Sequence, residues 1–232
     1  MMKQEIIVTD LTRFSDDKVC LAGINSDTME LMRPTTYKSQ AYCVENKILP
    51  GTKITACFTP KPDRTAPHLE DCLWNSISVT GKATSEEFKN LLDKSLASSI
   101  EAGFNVPISG KLIPAYNPPG LSIITIKAKI QLHPGYDDDF SKLKVSITDR
   151  AGCNMQYLPL ADLGFFRFAQ QRHSREELYK LQDFINRQAD IYLRLGLGRR
   201  WAHRQDGRDG YWLQVNGIYT FPEFLREIRS YE

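Results

Sequence analysis

The order of strands and helices predicted for residues 121–219 constrains the fold of this chain more than any other feature. Apolar and polar residues alternate in several short segments, as they do in strands with one buried face. The predicted elements are strands over 121–132, 142–148 and 155–160, a helix beginning after the N-cap Ser174, and strands over 190–197 and 211–219. This β-β-β-α-β-β order is that of an OB-fold, a five-stranded Greek-key barrel, although other small α+β sandwiches share it.

The first half of the chain has strand-like segments in a less regular order, which a second, elaborated OB barrel would also accommodate. These segments cover 5–11, 18–24, 29–33, 53–59 and 74–82, and a helix with Thr84 or Ser85 as its N-cap follows them. Pro118, Pro119 and Gly120 form the strongest linker signal, so we place a domain boundary near 117. We therefore predict a mainly β (α+β) chain of two tandem OB-like five-stranded barrels, each with one helix, over residues 1–116 and 117–232.

The balance of charged residues limits which partners the chain can bind. The 232 residues include 30 Lys and Arg against 28 Asp and Glu, a net charge of +2. A protein that coats nucleic acid with every face is strongly basic, so any anionic partner here requires a local basic patch. No apolar run approaches the roughly 18 residues of a membrane span and no signal peptide is evident, so we expect a cytoplasmic protein without a membrane partner.

The five cysteines are spaced too widely for the common metal-binding and redox motifs. They contain no Cys-x-x-Cys pair, which argues against a zinc ribbon and against a thioredoxin-type site. We expect free, mostly buried thiols in a reducing compartment. The cysteines are Cys20, Cys43, Cys57, Cys72 and Cys153.

Several stretches of the sequence carry a resemblance to a known family. They are IVTDLTRF (7–14), KVCLAGIN (18–25), ELMRP (30–34), PHLED (67–71), LGLGRRW (195–201) and WLQVNGIYTFPEFL (212–225). Together they span nearly the whole chain, and they resemble bacterial proteins described as dual OB-domain proteins. The resemblance implies two OB barrels, a nucleic-acid-binding role and a place in a larger system such as a genome-defence system. It brings no catalytic residues with it.

The segment 194–212 is the most informative for function, because basic and aromatic side chains are interleaved in it. In an OB barrel, the connection between the fourth and fifth strands lines the usual binding face. Single-stranded nucleic acid binds where a positive groove lies beside aromatic rings on which bases stack. The residues that we expect to contact it are Arg194, Arg199, Arg200, Trp201, Arg204 and Arg208, with Lys127 and Lys129 on another strand.

Two other interpretations of the segment 194–212 stay open. Asp206 and Asp209 offset part of its positive charge, and at least one of Tyr211 and Trp212 is expected to face the core. A protein-binding surface explains the same residues, and so does a solvated loop.

A second set of cations lies on two neighbouring predicted strands. Alternate residues of a strand share one face, so the lysines of each strand point the same way. They are Lys127 and Lys129 on one strand and Lys142 and Lys144 on the next. The four lysines would form one positive face if the strands pair, but the polar face of any half-buried strand has this appearance, and we favour that simpler interpretation.

The segment 67–72 concentrates side chains that bind metals or transfer protons. These are His68, Glu70, Asp71 and Cys72. They allow the hypothesis of a metal-dependent nuclease, but no ligand spacing elsewhere supports it, and a structural loop that packs Leu69 and Leu73 is the simpler interpretation. We therefore place a nucleic-acid-binding module first, a protein-binding adaptor second and a nuclease third, and we expect neither a metal nor another cofactor.

Overall fold

The structure is a computed structural model that describes residues 3–15, 17–172, 174–202, 205 and 207–231. Strands hold 44% of the chain and helices 20%, so the prediction of a mainly β fold is confirmed. None of the helices in these ranges combines the length and the apolar character needed to cross a membrane.

The first half of the chain forms a closed β-barrel. Its elements are β1 (Gln4–Arg13), β2 (Lys18–Ile24), β3 (Leu31–Pro34), β4 (Lys38–Ser39), α1 (Gln40–Glu45), β5 (Thr52–Pro60) and β6 (Asp71–Lys82). β1 pairs with β2 and β5, β5 with β6, β6 with β3 and β3 with β2, which closes a ring of five strands. The β3–β6 pairing is parallel and the others in the ring are antiparallel.

This first barrel is regular, although its sequence does not look so. Its element order is also β-β-β-α-β-β, if the two-residue β4 is set aside. All five strands of the ring were predicted, but α1 was not, because its six residues are too few to show a clear helical period. Helix α1 begins where the Ser39 side chain accepts a hydrogen bond from the Tyr42 amide. The core of the barrel includes Ile6, Val8, Leu21, Ile54 and Ala56.

Two helices and a short strand connect the barrels: α2 (Ser85–Lys94), α3 (Ile100–Phe104) and β7 (Leu112–Pro114). Thr84 and Glu87 form a capping box at the start of α2, which confirms Thr84 as its N-cap. The buried face of α2 lies between the barrels. It clusters with Ile7 and Ile24 of the first barrel and with Tyr192, Tyr219 and Phe221 of the second.

The second half forms a curled sheet that is not closed by a continuous ladder. Its elements are β8 (Ile123–Pro134), β9 (Leu143–Asp149), β10 (Asn154–Pro159), α4 (Leu163–Gln171), α5 (Arg175–Asn186), β11 (Asp190–Leu197), β12 (Trp201–Ala202) and β13 (Asp209–Phe221). The sheet order is β10-β9-β8-β11-β13-β12, and β7 also pairs with β13. A parallel bridge between Leu160 and Val215 brings the end of β10 to β13, as in the closure of the first barrel.

The architecture agrees with two tandem OB-like barrels, but it contains three helices that were not predicted, α1, α3 and α4. The Ser174 side chain accepts a hydrogen bond from the Glu177 amide at the start of α5, as expected of its N-cap. Helix α4 precedes it, and the Asp162 side chain caps that helix. Sequence analysis missed α4 because its phenylalanines also suit a strand.

The domain boundary near 117 stays a prediction. Residues before it already belong to the core of the second sheet, because Ile100, Phe104 and Ile113 pack there. The described contacts therefore tie α3 and β7 to the second barrel.

Candidate functional site

The segment between β11 and β13 carries most of the residues predicted to bind a ligand. Strand β12 folds back on β13 there, with Trp201 opposite Gly210. β7 lies on the other edge of β13, and a Cβ on Gly210 would come within 2.2 Å of the Ile113 carbonyl oxygen. Glycine is therefore required where the three strands meet. Outside the described residues lie His203, Arg204 and Asp206.

Two tryptophans and an arginine form a cluster in this connection. The ring centroids of Trp201 and Trp212 are 5.8 Å apart and the planes are inclined by 61°. The Arg208 guanidinium carbon lies 5.4 Å and 5.9 Å from the two centroids. Both indoles are partly exposed, whereas Tyr211 is buried and faces the core, as predicted for one of the pair. The cluster thus combines partly exposed ring surface with the positive charge of Arg208.

Arg199 reaches from the second barrel to the first. Its Nη1 donates to Oδ2 of Asp71 on β6 at 2.7 Å, and its Nη2 donates to the Tyr37 hydroxyl at 3.5 Å. The Arg199 side chain is 43% exposed, whereas that of Asp71 is 4% exposed. Burial alone would lower the pKa of Arg199, but its bonds to Asp71 and Tyr37 outweigh that effect and raise the pKa.

Tyr37 continues the aromatic surface onto the first barrel. Its ring stacks on Phe14 with centroids 4.2 Å apart, and Phe14 is 51% exposed. Sequence analysis missed both residues, because they lie in separate connections and nothing in their spacing links them. An aromatic residue in an otherwise polar connection between strands is the sequence feature that could have indicated each of them. We call the set the aromatic track: Phe14, Tyr37, Arg199, Trp201, Arg208 and Trp212.

Arg200 lies beside the track and is held by a carboxylate. Its guanidinium binds both oxygens of Asp209, with Nε donating to Oδ1 at 2.7 Å. This bond raises the pKa of Arg200 and lowers that of Asp209. The Arg200 side chain is 62% exposed, so solvent and salt screen this pair.

Arg194 was predicted to contact a ligand, but it is buried. Its Nε donates to Oδ2 of Asp10 at 2.9 Å and its Nη1 to the Thr125 hydroxyl at 2.8 Å. Asn216 donates to the other Asp10 oxygen at 3.2 Å. Since β1 carries Asp10 and β11 carries Arg194, the pair ties the barrels together and does not reach the surface.

The predicted lysines do not behave as one positive face. The Lys127 ammonium lies 2.7 Å from Asp190 and 3.6 Å from Asp93. Lys142 pairs with Asp139 at 3.2 Å, and Lys129 is exposed on β8. Carboxylates therefore offset two of the four charges, in agreement with the simpler interpretation of a polar strand surface.

Apart from the exposed Leu69, the segment 67–72 is buried where the two barrels meet. Arg33 bonds to Asp71 at 2.7 Å and lies 3.1 Å from Glu70. Ser122 of the second half accepts from Arg33 at 3.1 Å and donates to Glu70. Burial alone would raise the pKa of Glu70, but its contacts with His68 and Arg33 lower it below the usual range.

The simpler interpretation of this segment was wrong in one respect. Leu69 and Leu73 are exposed, while the polar residues between and before them are buried. The reason is that the buried side of the segment packs against Arg33 and the second barrel. Among the described residues no three His, Cys, Asp or Glu side chains are arranged to hold a metal ion, so the nuclease hypothesis gains no support.

None of the five cysteines forms a disulfide, as predicted, and burial lowers the reactivity of two of them. Cys43 and Cys72 are buried and the other three are partly exposed. Burial raises the pKa of Cys43 to about 11 and that of Cys72 to about 12. These two thiols stay protonated at neutral pH, and a thiol must lose its proton to act as a nucleophile.

Comparisons with known proteins identify no family for this arrangement. No family model matches the chain, and neither the curated proteins nor the solved structures contain a match. Membership of the dual OB-domain family therefore stays an expectation from the sequence.

Proposed function

We propose that the chain is a binding module for single-stranded nucleic acid, which lies along the aromatic track. The observation that carries the proposal is the cluster of Trp201, Trp212 and Arg208, in which two partly exposed rings share one guanidinium. Bases stack on such rings whatever their sequence, and the guanidinium is placed to meet a phosphate between stacked bases.

The position of the cluster supports the same function. In both barrels the connection between the fourth and fifth strands belongs to the surface that OB-folds use for oligonucleotides. The connection of the first barrel contacts the start of β13, because Tyr211 donates to the Ala66 carbonyl at 3.4 Å and the His68 ring lies 5.8 Å from the Tyr211 ring. A strand bound at the tryptophans would therefore continue towards Arg199 and Tyr37.

The ion pairs of Arg199, in the track, and of Arg200, beside it, do not prevent these arginines from binding phosphate. Arg199 and Arg200 each have a carboxylate partner, but both arginines keep exposed surface. The Arg200–Asp209 pair is exposed and therefore weak, whereas a phosphate accepts two parallel bonds from a guanidinium and releases counterions. Binding should accordingly weaken as the salt concentration rises.

Fluorescence anisotropy with labelled single-stranded DNA and RNA, and with duplexes, tests the proposal. The variant Trp201→Ala/Arg208→Ala should lose about 1–3 kcal/mol of binding free energy for each stacked base that it no longer holds. The slope of log K against the logarithm of the salt concentration should become shallower by about 0.7, because one phosphate contact is lost.

The matched control removes an aromatic ring and an arginine from another surface. In Tyr179→Ala/Arg187→Ala both lost side chains are exposed, one on α5 and the other at its C-cap. We expect it to bind as the parent does. Equal losses in both double variants would contradict the aromatic track as the binding surface, and no binding by the parent at low salt would remove the proposal.

The second candidate is a protein-binding adaptor without affinity for nucleic acid. A net charge of +2 and the carboxylate partners of Arg199 and Arg200 favour it. This hypothesis predicts that no oligonucleotide changes the anisotropy. It also predicts that another protein, and no nucleic acid, co-purifies with the chain. A role in a larger bacterial defence-type system is supported by the sequence resemblance alone.

A further inference from the structure

Strand β10 contains a bulge that places two neighbouring side chains on the outer face of the second barrel. The β9–β10 ladder changes register between Met155 and Leu158, which are both buried. Gln156 and Tyr157 therefore lie together opposite Ser146, and both are exposed. A bulge redirects a side chain at the expense of regular pairing, and bulges are common beside functional sites.

Tyr157 has a backbone conformation that a bulky residue rarely adopts. Its φ is 54°, in the left-handed region that favours glycine. The residue is 54% exposed, so burial of the ring does not compensate for the strain. Strained residues of this kind cluster at functional sites. Glycine would suit the fold better at this position, which indicates that the aromatic ring itself has a use.

A buried serine holds the Tyr157 ring beside a second ring. The Ser146 hydroxyl accepts a hydrogen bond from the Tyr157 amide at 3.2 Å and donates one to Oε1 of Gln156 at 2.9 Å. Nε2 of His133 lies 2.8 Å from the same hydroxyl. The His133 and Tyr157 ring centroids are 4.6 Å apart, and the planes are inclined by 45°. We call His133, Ser146 and Tyr157 the tyrosine platform.

The tyrosine platform lies between two lysines. In the β8–β9 ladder Lys129 belongs to the row on one side of Ser146, and Lys144 belongs to the row on the other side. Neither lysine forms an ion pair with a carboxylate in the described part of the chain. The outward-pointing residues of these rows and of β10 include no Asp or Glu. Aromatic rings between cations are what a single strand of nucleic acid requires of a binding surface.

We propose that the tyrosine platform is a second stacking site for the single strand assigned to the aromatic track, an inference that rests on that proposed function. A parallel bridge joins Leu160 to Val215. Tyr157 and Trp212 each precede this bridge by three residues, on strands that run in the same direction. With about 3.8 Å between consecutive Cα atoms and about 5 Å across the bridge, the Cα atoms of Tyr157 and Trp212 are at most about 28 Å apart.

A single strand of about 12 nucleotides is long enough to reach both sites, at about 3.4 Å for each stacked nucleotide. Fluorescence anisotropy with such an oligonucleotide tests the inference. Tyr157→Gly removes the ring and suits the positive φ, so the variant should fold and should bind about tenfold more weakly, the loss expected for one stacked base. Tyr157→Phe keeps the ring and should bind as the parent does.

The matched control removes an exposed tyrosine from another surface. Tyr179 lies on α5 and is 63% exposed, and Tyr179→Ala should bind as the parent does. Thermal melts followed by circular dichroism check that each variant is folded. Adding Tyr157→Gly to Trp201→Ala/Arg208→Ala should weaken the remaining binding further, because the platform then no longer holds the strand.

The variants distinguish failure of this inference from failure of the proposed function. Parent-like binding by Tyr157→Gly, with a loss in Trp201→Ala/Arg208→Ala, would overturn the platform and leave the aromatic track. A loss in Tyr157→Gly, with parent-like binding by Trp201→Ala/Arg208→Ala, would support the platform and overturn the track. Equal losses in Tyr157→Gly and Tyr157→Phe would overturn stacking at this position. A parent chain that binds no oligonucleotide at low salt would overturn both proposals, even if a neutral oligosaccharide occupies the platform.

Discussion

Arg194 and Arg200 lie close together in the sequence, yet one belongs to the contact between the barrels and the other to the aromatic surface. The Arg194–Asp10 pair is buried, with both side chains 2% exposed and 2.8 Å between Nη2 and Oδ2. The Arg200–Asp209 pair is exposed to solvent. The chemistry of the two pairs is the same, so burial alone decides which arginine fixes the fold and which is available to a ligand.

Asp71 connects these two regions, because it forms an ion pair with one arginine in each. Arg33 reaches it from inside the contact between the barrels, with a side chain 7% exposed. Arg199 reaches its other oxygen from the surface. A ligand that takes Arg199 away from Asp71 would leave the carboxylate paired with Arg33. If the proposed surface binds a ligand, Arg199 can therefore exchange partners without breaking the buried contact.

The largest effect is expected from breaking the buried pair. Arg194→Met keeps a long side chain but leaves the Asp10 carboxylate buried without its cation, which costs about 3–5 kcal/mol in such sites. The free energy of unfolding, measured in urea, should fall by that amount.

The exposed pair supplies the comparison for this measurement. Arg200→Met should leave the free energy of unfolding nearly unchanged, because solvent already screens its partner. The double variant Asp10→Leu/Arg194→Met should recover much of the lost stability, since no buried charge is then unpaired. Similar losses in Arg194→Met and Arg200→Met would contradict the distinction between the two regions.

The sequence predicted the strands of both barrels, but it predicted neither helix α1, which has only six residues, nor the closure of the first barrel. The strand 190–197 and the N-cap Ser174 have clear patterns, and the structure has β11 and α5 there. The closure of the first barrel depends on the parallel pairing of Arg33 with Asp71, which are 38 residues apart. Local periodicity contains no information about a contact at that separation.

The same limit explains what was misassigned at the site. Arg194 stands in a basic and aromatic stretch, but its partner Asp10 is 184 residues away. β11 is buried on both faces from Tyr192 onwards, so the usual alternation of polar and apolar faces does not apply to it. A residue type in a pattern suggests chemistry, but only the packing of the other barrel shows which residues remain accessible.

Replacing His68 should have a smaller effect on stability than replacing Arg194. His68 is buried between the barrels, and its neutral imidazole leaves no unpaired charge there. Burial lowers its pKa, and the nearby Arg33 and Arg199 act in the same direction, although Glu70 opposes them. Neither ring nitrogen has a hydrogen-bond partner among the described residues. Because the folded-state pKa lies below the unfolded value of about 6.5, the unfolded chain binds the proton more readily.

The free energy of unfolding should therefore not be reduced by His68 at a pH above its unfolded pKa, and it should decline as the pH falls below that value. Urea denaturation at pH 7.5 and pH 5.5 measures the decline, and His68→Phe should reduce it while keeping the edge contact with Tyr211. His133→Phe is the comparison, since His133 is less buried and its ring bonds to Ser146 at 2.8 Å. An unchanged pH dependence in His68→Phe would show that this buried imidazole does not govern it.

The smallest effect concerns the exposed region and appears in binding rather than in stability. Asp209→Asn removes the carboxylate that holds Arg200 but preserves the shape of the side chain and the backbone pairing of Asp209 with Ala202. A phosphate no longer competes with a carboxylate for Arg200, so single-stranded oligonucleotides should bind a few-fold more tightly in anisotropy at low salt. The gain should disappear at high salt.

The control for this prediction separates local competition from a general change in charge. Asp183→Asn also removes one negative charge beside an exposed arginine, because Asp183 on α5 pairs with Arg187, the C-cap of that helix, at 3.4 Å. If Arg200 contributes to binding through its own guanidinium, Asp209→Asn strengthens binding and Asp183→Asn does not. If both variants gain equally, the oligonucleotide responds only to net charge. Arg200 would then be part of the solvated surface, and the difference between the two regions would lie in Arg199 and the tryptophans alone.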